Sequence, residues 1–349
     1  MKLIYLSKTR LDYSLNSAYL QGLKQNNAEV LEFFTSEKGI RGYINGFKFI
    51  RKHKNEADFI VVGYNSPGFV VLAKIFSRKK IIYNSVLSEY ERLIISRELA
   101  SRFSAKAFYY WLADFFAVHY ADLVLVETNL QANFYKKLFN VSRDKLFRAW
   151  IGVDGDRFFY DPNVKKSDVF TVLFRGALQP EAGAEYIIKA AKILEGRGVQ
   201  FIVIGGGAIL NKIKALIEEV KPNNLQHIEG FMSYDDLRRM MQPCHISLGQ
   251  LSNHERLKRT IPHKVYESLA MKLPYLTATN EGILELLKPG VTCLVCNPAD
   301  AESLAEKILW ARDNYLAIEK IAENGYMLYQ DELKSSILVR KLLDRISRL

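Results

Sequence analysis

Short runs of apolar residues alternate with amphipathic stretches along almost the whole chain. The runs are apolar at consecutive positions rather than at alternate ones, which is typical of strands covered on both faces. The predicted strands are Leu3–Leu6, Val30–Phe33, Phe59–Val62, Ile81–Tyr83, Leu123–Val126, Val169–Phe174, Phe201–Ile204, His227–Glu229, Ile246–Leu248 and Tyr275–Ala278.

The stretches between these runs repeat apolar residues every three to four positions, the spacing of a helix with one buried face. The predicted helices are Leu15–Leu23, Phe69–Phe76, Ala105–Phe116, Tyr186–Leu194, Leu210–Val220, Tyr234–Met241, Lys264–Ala270, Ala301–Ala311 and Leu333–Leu349. Because strands and helices alternate, we expect an α/β protein whose parallel sheets carry helices on both faces.

A polar segment at residues 161–168, which includes Pro162, separates two stretches of similar length, and a fresh apolar strand follows it. We therefore expect two doubly wound, Rossmann-like domains, residues 1–163 and 164–330. Such domains bind ligands at the carboxyl ends of their strands, so we expect them to face a cleft that holds the ligand.

The 349 residues carry a net charge of +11, and most of the excess lies in the first half. Residues 1–160 hold 24 Lys and Arg against 15 Asp and Glu, whereas residues 161–349 hold 25 against 23. A basic domain indicates an anionic partner: nucleic acid, an acidic membrane surface or a phosphorylated substrate. Hydrophobic residues make up 49% of the chain, which excludes a disordered protein.

Three cysteines are too few for a disulfide scaffold and suit a reducing compartment. The N-terminal apolar run is too short for a signal peptide, and no stretch is long and apolar enough to span a bilayer. We therefore expect a cytoplasmic protein. We predict no metal site, because the Asp-Gly-Asp at 154–156 suits a turn and the pair Cys293 and Cys296 points to opposite faces of a strand.

Two Gly-rich turns each follow a predicted strand and precede a predicted helix. The first runs from Gly176 to Gly183, and the second is Gly205–Gly207, with Gly206 at its centre. Glycine in such a turn lets the backbone approach a phosphate, and the N-terminus of the next helix favours an anion. A purely structural turn is an equally good interpretation of each.

The most specific segment runs from Arg256 to Ala270. Its Lys264 and Glu267 share one helical face. Glu267 lies among apolar neighbours and needs a partner, which sugar hydroxyls or Lys264 would supply; a surface ion pair is the alternative. The basic residues that would neutralise a diphosphate here, or would simply be solvated, are Arg256, Lys258, Arg259 and Lys264.

Together these elements resemble the retaining glycosyltransferases of family four, which have the GT-B fold. The resemblance covers most of the chain and is strongest from about residue 170 to residue 315. The family's Gly-x-Leu-x-Pro-x-x-Gly turn is similar to Gly176–Gly183, and its P-x-K-x-x-E-x-x-A-x-x-x-P segment is similar to Pro262–Pro274. Gly230–Leu237 resembles its G-F segment, and Ile151–Asp154 resembles its interdomain hinge.

The resemblance implies an enzyme that moves a sugar from a nucleotide-sugar donor to a cell-surface glycan or a lipid-linked acceptor, with retention of configuration. It implies no metal and no cofactor besides the donor. The first domain would bind the acceptor and the second the donor, and a last helix at 331–349 would return to the first domain. Lys264 would contact the diphosphate and Glu267 the ribose hydroxyls. The other donor-binding residues implied are Gly176, Gly183, Gly206, Phe231, Gly282 and Glu285.

The sequence departs from the family at three positions. The usual Arg and Lys of the first turn fall on Ala177 and Ala182, and the first Glu of the family's pair falls on Arg259. We expect Arg175 or the basic residues 256–259 to replace them at the phosphates. A non-catalytic relative, a sugar-nucleotide epimerase and a nucleic-acid-binding protein remain as alternatives.

Two features of the first domain bear on the acceptor. The aromatic helix Ala105–Phe116, with basic patches at 48–54 and 78–80, is either a core helix or a surface for peripheral contact with an acidic membrane at its inner face. Glu89 or Glu91, just after a predicted strand, would orient the acceptor; surface helix charges are the alternative.

Overall fold

The chain folds into two units in the computed structural model, which describes residues 1–37 and 39–349. Unit 1 comprises Met1–Asp154 and Leu333–Leu349, and unit 2 comprises Gly155–Glu332. The boundary thus lies nine residues before the one predicted after residue 163.

The segment just after Asp154 packs within unit 2, which explains this difference. The Phe158 ring meets Tyr234 edge-on at 5.9 Å between centroids, and Gln242 Nε2 donates to the Asp161 carbonyl oxygen at 2.9 Å. The polar composition at 161–168 therefore marks a surface segment inside unit 2 and not its beginning.

Unit 1 is built on one parallel sheet with helices on both faces. Its strands are β1 (Lys2–Ser7), β2 (Glu29–Phe34), β3 (Phe59–Val62), β4 (Lys80–Asn84), β5 (Leu123–Val126) and β6 (Leu146–Arg148). Its helices are α1 (Ser14–Gln25), α2 (Ile40–His53), α3 (Pro67–Phe76), α4 (Ala105–Tyr120), α5 (Asn129–Phe139) and α13 (Ser335–Ile346). The strand order is β2-β1-β3-β4-β5-β6.

Two hydrophobic layers hold this sheet. Helices α1 and α13 cover one face, where Tyr19 and Val339 are buried. Helices α2 to α5 cover the other face, around Ile50, Phe69 and Val118. The Ser335 hydroxyl also donates to the carbonyl oxygen of Val153, which fixes the start of α13 in unit 1.

Unit 2 repeats this architecture. Its strands are β7 (Phe170–Arg175), β8 (Val199–Gly205), β9 (Leu225–Glu229), β10 (Ile246–Leu248), β11 (Tyr275–Ala278) and β12 (Leu294–Cys296), in the order β12-β11-β10-β7-β8-β9. Its helices are α6 (Ala184–Ile193), α7 (Leu210–Val220), α8 (Tyr234–Met241), α9 (Lys264–Ala270), α10 (Glu281–Leu284), α11 (Ala301–Asp313) and α12 (Tyr315–Leu328). Two parallel six-stranded sheets with flanking helices confirm the predicted α/β class and Rossmann-like units.

Each sheet has one point where its connections change direction. In unit 1 the chain leaves β1 toward β2 on one side and continues from β3 toward β6 on the other, so the point lies between β1 and β3. In unit 2 it lies between β7 and β10. Open parallel sheets bind ligands at the carboxyl ends of strands at such points, so these two edges are where sites are expected.

The sequence predicts a basic patch at residues 48–54 but no helix there, whereas the structure has α2. Its Gly42 and Gly46 lower the intrinsic helix propensity. A Cβ at Gly46 would lie 2.6 Å from the Phe69 ring, so the glycine permits α2 to pack closely on α3. Tertiary packing thus compensates for a weak local preference.

Candidate functional site

The side chain of Arg175 lies at the carboxyl end of β7, at the direction change of unit 2, and is almost fully buried. Its Nη2 donates to Glu267 Oε2 at 2.7 Å and to the Lys264 carbonyl oxygen at 3.0 Å, and its Nη1 donates to Ser247 Oγ at 3.0 Å. One guanidinium therefore ties together β7, β10 and α9.

These contacts contradict the expectation that Arg175 replaces the missing phosphate-binding cations. A buried guanidinium is held in one geometry by the groups that accept its hydrogen bonds. Here those acceptors belong to the protein. Arg175 instead fixes the carboxylate of Glu267.

Glu267 has two protein partners, and neither is Lys264. Arg175 holds Oε2, and His263 Nδ1 lies 3.0 Å from Oε1. Burial alone would raise the pKa of Glu267, but the Arg175 guanidinium and the His263 hydrogen bond lower it to about 2. The alternative of a surface ion pair with Lys264 is therefore wrong, because Arg175, distant in sequence, reaches the carboxylate from β7.

The ammonium of Lys264 is buried beside the first Gly-rich turn, and the residue is 9% exposed. Its Nζ lies 3.9 Å from the centroid of the Phe174 ring and donates to Gln250 Oε1 at 3.3 Å. Burial and the Arg175 guanidinium lower the pKa of Lys264 to about 7, against the opposite effects of Glu267 and Glu181. A poorly solvated cation that forms no ion pair with a carboxylate of the described residues is suited to an anionic ligand.

Gly176 brings the backbone next to this ammonium. Its φ of +125° favours glycine, and a Cβ here would lie 3.5 Å from Lys264 Nζ. Its own N–H, however, donates to the Ile204 carbonyl oxygen at 2.9 Å. This N–H is therefore already paired within the protein.

The other two turn glycines that were predicted to bind the donor differ in their surroundings. Gly183 has a φ of +68°, and a Cβ there would lie 2.6 Å from the backbone nitrogen of Ser252, so close packing requires it. Around Gly206 the nearest atoms to such a Cβ would be those of Gly230, at 3.7 Å. Only Gly206 of this pair leaves room beside its backbone.

The expected basic cluster does not form one surface. Arg256 pairs with Glu181 at 2.6 Å, the buried Arg259 lies 3.5 Å from the exposed Glu255, and Lys258 is exposed. The three lie in or next to a 3₁₀ turn that ends at Lys258, and they differ in burial and in partners. Spacing along the chain did not reveal this.

The remaining predicted donor residues lie on other elements of unit 2. Gly282 of α10 is packed against this 3₁₀ turn, where a Cβ would lie 2.7 Å from the carbonyl oxygens of Leu257 and Thr260. Glu285 follows α10 and is half-buried. Phe231 precedes α8, and its ring is 76% exposed.

Several residues that complete the site were not anticipated. Gln250 and Ser247 belong to β10 or the turn after it, and Glu181 and His263 supply partners for the predicted residues. The position of Gln250, two residues beyond a predicted strand, was the available signal. Which side chains lie next to Gln250 depends on the order of the strands in the sheet, and no local sequence pattern specifies that order.

Within the described residues, no group of three or more His, Cys, Asp or Glu side chains is arranged to hold a metal ion. None of the helices described is both long and apolar enough to cross a membrane.

Comparison with known structures defines the class of fold. The chain is similar to Anabaena HepE, solved in complex with UDP-glucose, with a TM-score of 0.76, 15% identity and full coverage of both chains. Two Rossmann-like units of this kind define the GT-B fold. At this identity the likeness establishes the fold alone.

Sequence comparison defines the family. Residues 156–327 match the family described as Glycosyl transferases group 1. Alpha-D-kanosaminyltransferase of Streptomyces kanamyceticus is 31% identical over 160 residues, which cover 44% of this chain and 39% of that protein. The putative colanic acid biosynthesis glycosyltransferase WcaL of Escherichia coli is 23% identical over 190 residues, which cover 54% of this chain and 47% of WcaL. The match to the glycosyl transferases group 1 family thus lies in unit 2, and the chain spans only about two fifths to half of the length of these relatives.

Proposed function

We propose that this chain is a glycosyltransferase that moves a sugar from a nucleotide-sugar donor to a cell-surface glycan or a lipid-linked acceptor, with retention of configuration. The family of unit 2 and the GT-B fold support the reaction class. The observation that carries the proposal is the buried ammonium of Lys264 beside Gly176 and the fixed carboxylate of Glu267, at the direction change of unit 2.

In this proposal the two side chains have different tasks. Lys264 binds the donor diphosphate and stabilises the charge that develops on it as the glycosidic bond breaks. Glu267, held by Arg175, accepts hydrogen bonds from the ribose hydroxyls. Phe231 flanks the base, and Gly206 leaves room for the donor beside its backbone.

The sugar acquires oxocarbenium character in such a transfer, and the leaving diphosphate must be neutralised. The proposal assigns that neutralisation to Lys264, so no metal or organic cofactor takes part in it. The donor is the only small molecule required besides the acceptor.

Thermal unfolding in the presence of nucleotides tests the donor site. UDP, GDP, ADP, TDP and CMP and their common sugar conjugates are compared, and a ligand at 100 times its dissociation constant stabilises by about 2.7 kcal/mol, a shift of a few degrees for a protein of this size. We expect one nucleotide family to raise the melting temperature of the wild type and less so of Glu267→Ala. Glu306→Ala, which removes an exposed carboxylate on α11, is the matched control. No stabilisation of the wild type by any of these nucleotides would contradict the proposal.

We also propose that unit 1 contacts an acidic membrane at its inner face. The neighbouring helices α2, α3 and α4, with the loop before α4, expose apolar side chains beside the basic segments 48–54 and 78–80. These apolar residues are Ile40, Ile44, Ile75, Phe76, Phe103, Phe108, Tyr109 and Phe116. Apolar and basic groups together suit a bilayer that contains anionic lipid.

Flotation with phosphatidylglycerol vesicles, compared with pure phosphatidylcholine vesicles, tests this contact. We expect binding to the anionic vesicles that Phe103→Ser with Phe108→Ser reduces, because Phe103 is 99% exposed and gains burial only in lipid. Leu316→Ser, at an apolar residue of unit 2 that is 81% exposed, should bind like the wild type. Equal flotation with both vesicle types, or of all variants, would contradict it.

A further inference from the structure

A groove on unit 2 lies apart from the side chains proposed to bind the donor. Its walls come from α11, α12, β12 and the turn at residues 290–291, and we call it the β12 groove. Its volume is about 510 Å³, within the range of sites for small molecules. Arg175 and Gln250 lie at or just beyond the ends of β7 and β10, which β11 separates from β12. The groove is therefore a different place in the fold.

Helical spacing brings the polar side chains of the β12 groove together. Lys307 and Trp310 are three residues apart on α11, so they share one face of that helix. Lys320 and Asn324 are four residues apart on α12 and likewise share a face. Both pairs line the groove.

Trp310 presents an aromatic surface in this groove. The residue is 41% exposed, although the Lys307 ammonium lies 5.3 Å from the centroid of its ring. Leu294 and Ile321 line the same groove and are almost fully buried. An exposed indole beside buried apolar side chains is suited to the apolar part of a ligand.

The β12 groove carries positive charge. Lys307 is half-buried and Lys320 is exposed, and no Asp or Glu stands among the described residues that line the groove. Glu323, also on α12, pairs with Lys272, and neither of them lines the groove. A surface with charges of one sign indicates a ligand of the opposite sign.

Asn324 adds a hydrogen-bonding group to the two ammonium groups. Its Nδ2 donates to the Val291 carbonyl oxygen at 3.1 Å, which joins α12 to the turn before β12. That bond orients the side chain, and its Oδ1 can accept a hydrogen bond from a hydroxyl group of a ligand.

We infer that the β12 groove binds an acidic saccharide, with a sugar ring stacked on Trp310 and carboxylates paired with Lys307 and Lys320. One face of a pyranose ring carries mainly C–H groups, which gain from burial on an indole. A sugar hydroxyl donates to Asn324 Oδ1, and a sugar carboxylate accepts from an ammonium.

The distance between the ring and the ammonium favours a saccharide over a nucleotide. Because Lys307 Nζ lies 5.3 Å from the centroid of the Trp310 ring, its anionic partner must lie close to the group that stacks on that ring. In a uronic acid the carboxyl carbon is bonded directly to the sugar ring. In a nucleotide the ribose separates the phosphates from the base.

The edge of the sheet leaves little free backbone for a peptide. Strand β12 is the outermost strand but has only three residues. Just before it, the Gly290 N–H already donates to the Cys293 carbonyl oxygen at 2.8 Å. A peptide that adds a strand needs a row of free N–H and C=O groups, so an acidic peptide is disfavoured here.

The inference rests on the proposed function only where it identifies the saccharide as part of the glycan that the enzyme extends. A glycan held in this groove would stay near the enzyme between transfers. The binding itself needs no nucleotide, so it is measured separately from the donor site.

Saturation-transfer NMR with trigalacturonic acid, in the absence of nucleotide, tests the groove. We expect the trisaccharide to bind the wild type. Its affinity should fall about tenfold or more in Trp310→Ala and less in Trp310→Phe, which retains a ring. Lys189→Met removes an exposed lysine on α6, outside the groove, and should bind like the wild type.

The methyl ester of the same trisaccharide separates the effect of charge from that of the sugar ring. Lys307→Met combined with Lys320→Met should weaken binding of the acid about threefold or more, as for loss of partly exposed ion pairs. It should leave binding of the ester unchanged. Added salt should weaken binding of the acid to the wild type more than to this double variant.

The inference is overturned if trigalacturonic acid does not bind the wild type, or if Trp310→Ala and the double lysine variant bind it like the Lys189→Met control. Equal competition by triglutamic acid would overturn the saccharide as the ligand, because the groove would then select charge alone. The UDP-induced shift in melting temperature should keep its wild-type value in all these variants. Binding of the trisaccharide by a protein that no nucleotide stabilises would reject the proposed donor reaction and leave this site standing.

Discussion

Arg175 and Glu267 form a buried ion pair, 2.7 Å between Nη2 and Oε2, that joins the end of β7 to the middle of α9. The side chains are 3% and 12% exposed. The carboxylate of Glu267 therefore has a fixed position before any donor binds, and the cation that fixes it is not available to the diphosphate.

Removing the cation of this pair should destabilise unit 2. Arg175→Met leaves the Glu267 carboxylate buried without its cation, and breaking a buried pair in this way costs about 3–5 kcal/mol. Hydrogen exchange of the α9 amide groups, measured at increasing urea concentrations, gives the loss in the free energy of unfolding.

The double variant Arg175→Met with Glu267→Gln serves as the control for this prediction. It removes both charges, so it should lose less than the sum of the two single changes. Strict additivity would show that the two side chains do not interact in solution.

The fold was predictable from the sequence, whereas most partners in the site were not. Runs such as Phe170–Arg175 are apolar throughout because helices cover both faces of the sheet, and that local pattern is readable. One partner of Glu267, Arg175, is 92 residues away, however, and helical spacing cannot point to it. The other, His263, lies four residues away, but the sequence analysis considered only Lys264 at that helical face. Pairing of this kind depends on which strands are neighbours, which no local pattern specifies.

Gly183 distinguishes a packing role from a donor-binding role. In Gly183→Ala the new Cβ would meet the Ser252 backbone at 2.6 Å, whereas Gly196→Ala has a similar φ of +70° and nothing within 4 Å. Both should lose about 1–2 kcal/mol from the left-handed backbone, and Gly183→Ala about 1–3 kcal/mol more from the clash.

Urea unfolding of the two variants measures this difference. Equal stability of the two would show that the structure around Gly183 relaxes freely. If Gly183→Ala kept its stability but lost UDP binding, the role of the glycine would instead be donor binding.

Affinity for UDP should fall as the pH rises above 7. The pKa of Lys264 is about 7 without ligand, because the ammonium is buried and lies near Arg175. The opposing carboxylates are Glu267, which Arg175 and His263 already hold, and Glu181, which pairs with Arg256. A bound diphosphate raises this pKa, so binding takes up a proton between the pKa of the empty site and that of the complex.

Calorimetric titration with UDP at pH 8, in two buffers of different ionisation enthalpy, measures the proton uptake. We expect close to one proton per UDP for the wild type and close to none for Lys264→Arg, whose guanidinium stays charged. The same uptake in both proteins would assign the proton to another group.

Two lysines expected at the diphosphate provide the most direct test of the active site. Lys264 is buried over Phe174 beside Gly176, whereas Lys258 is exposed at the end of a 3₁₀ turn. A cation in a buried site acts on developing charge far more strongly than one in water. Lys264→Met should therefore lower the rate of donor turnover by about a hundredfold or more, as for loss of one preorganised donor at a transition state. Lys258→Met should stay near the wild-type rate, since solvent screens the charge of Lys258.

Release of the nucleoside diphosphate from the donor that stabilises the wild type measures both rates. Near-wild-type turnover in Lys264→Met would contradict the assignment of the diphosphate to this side chain.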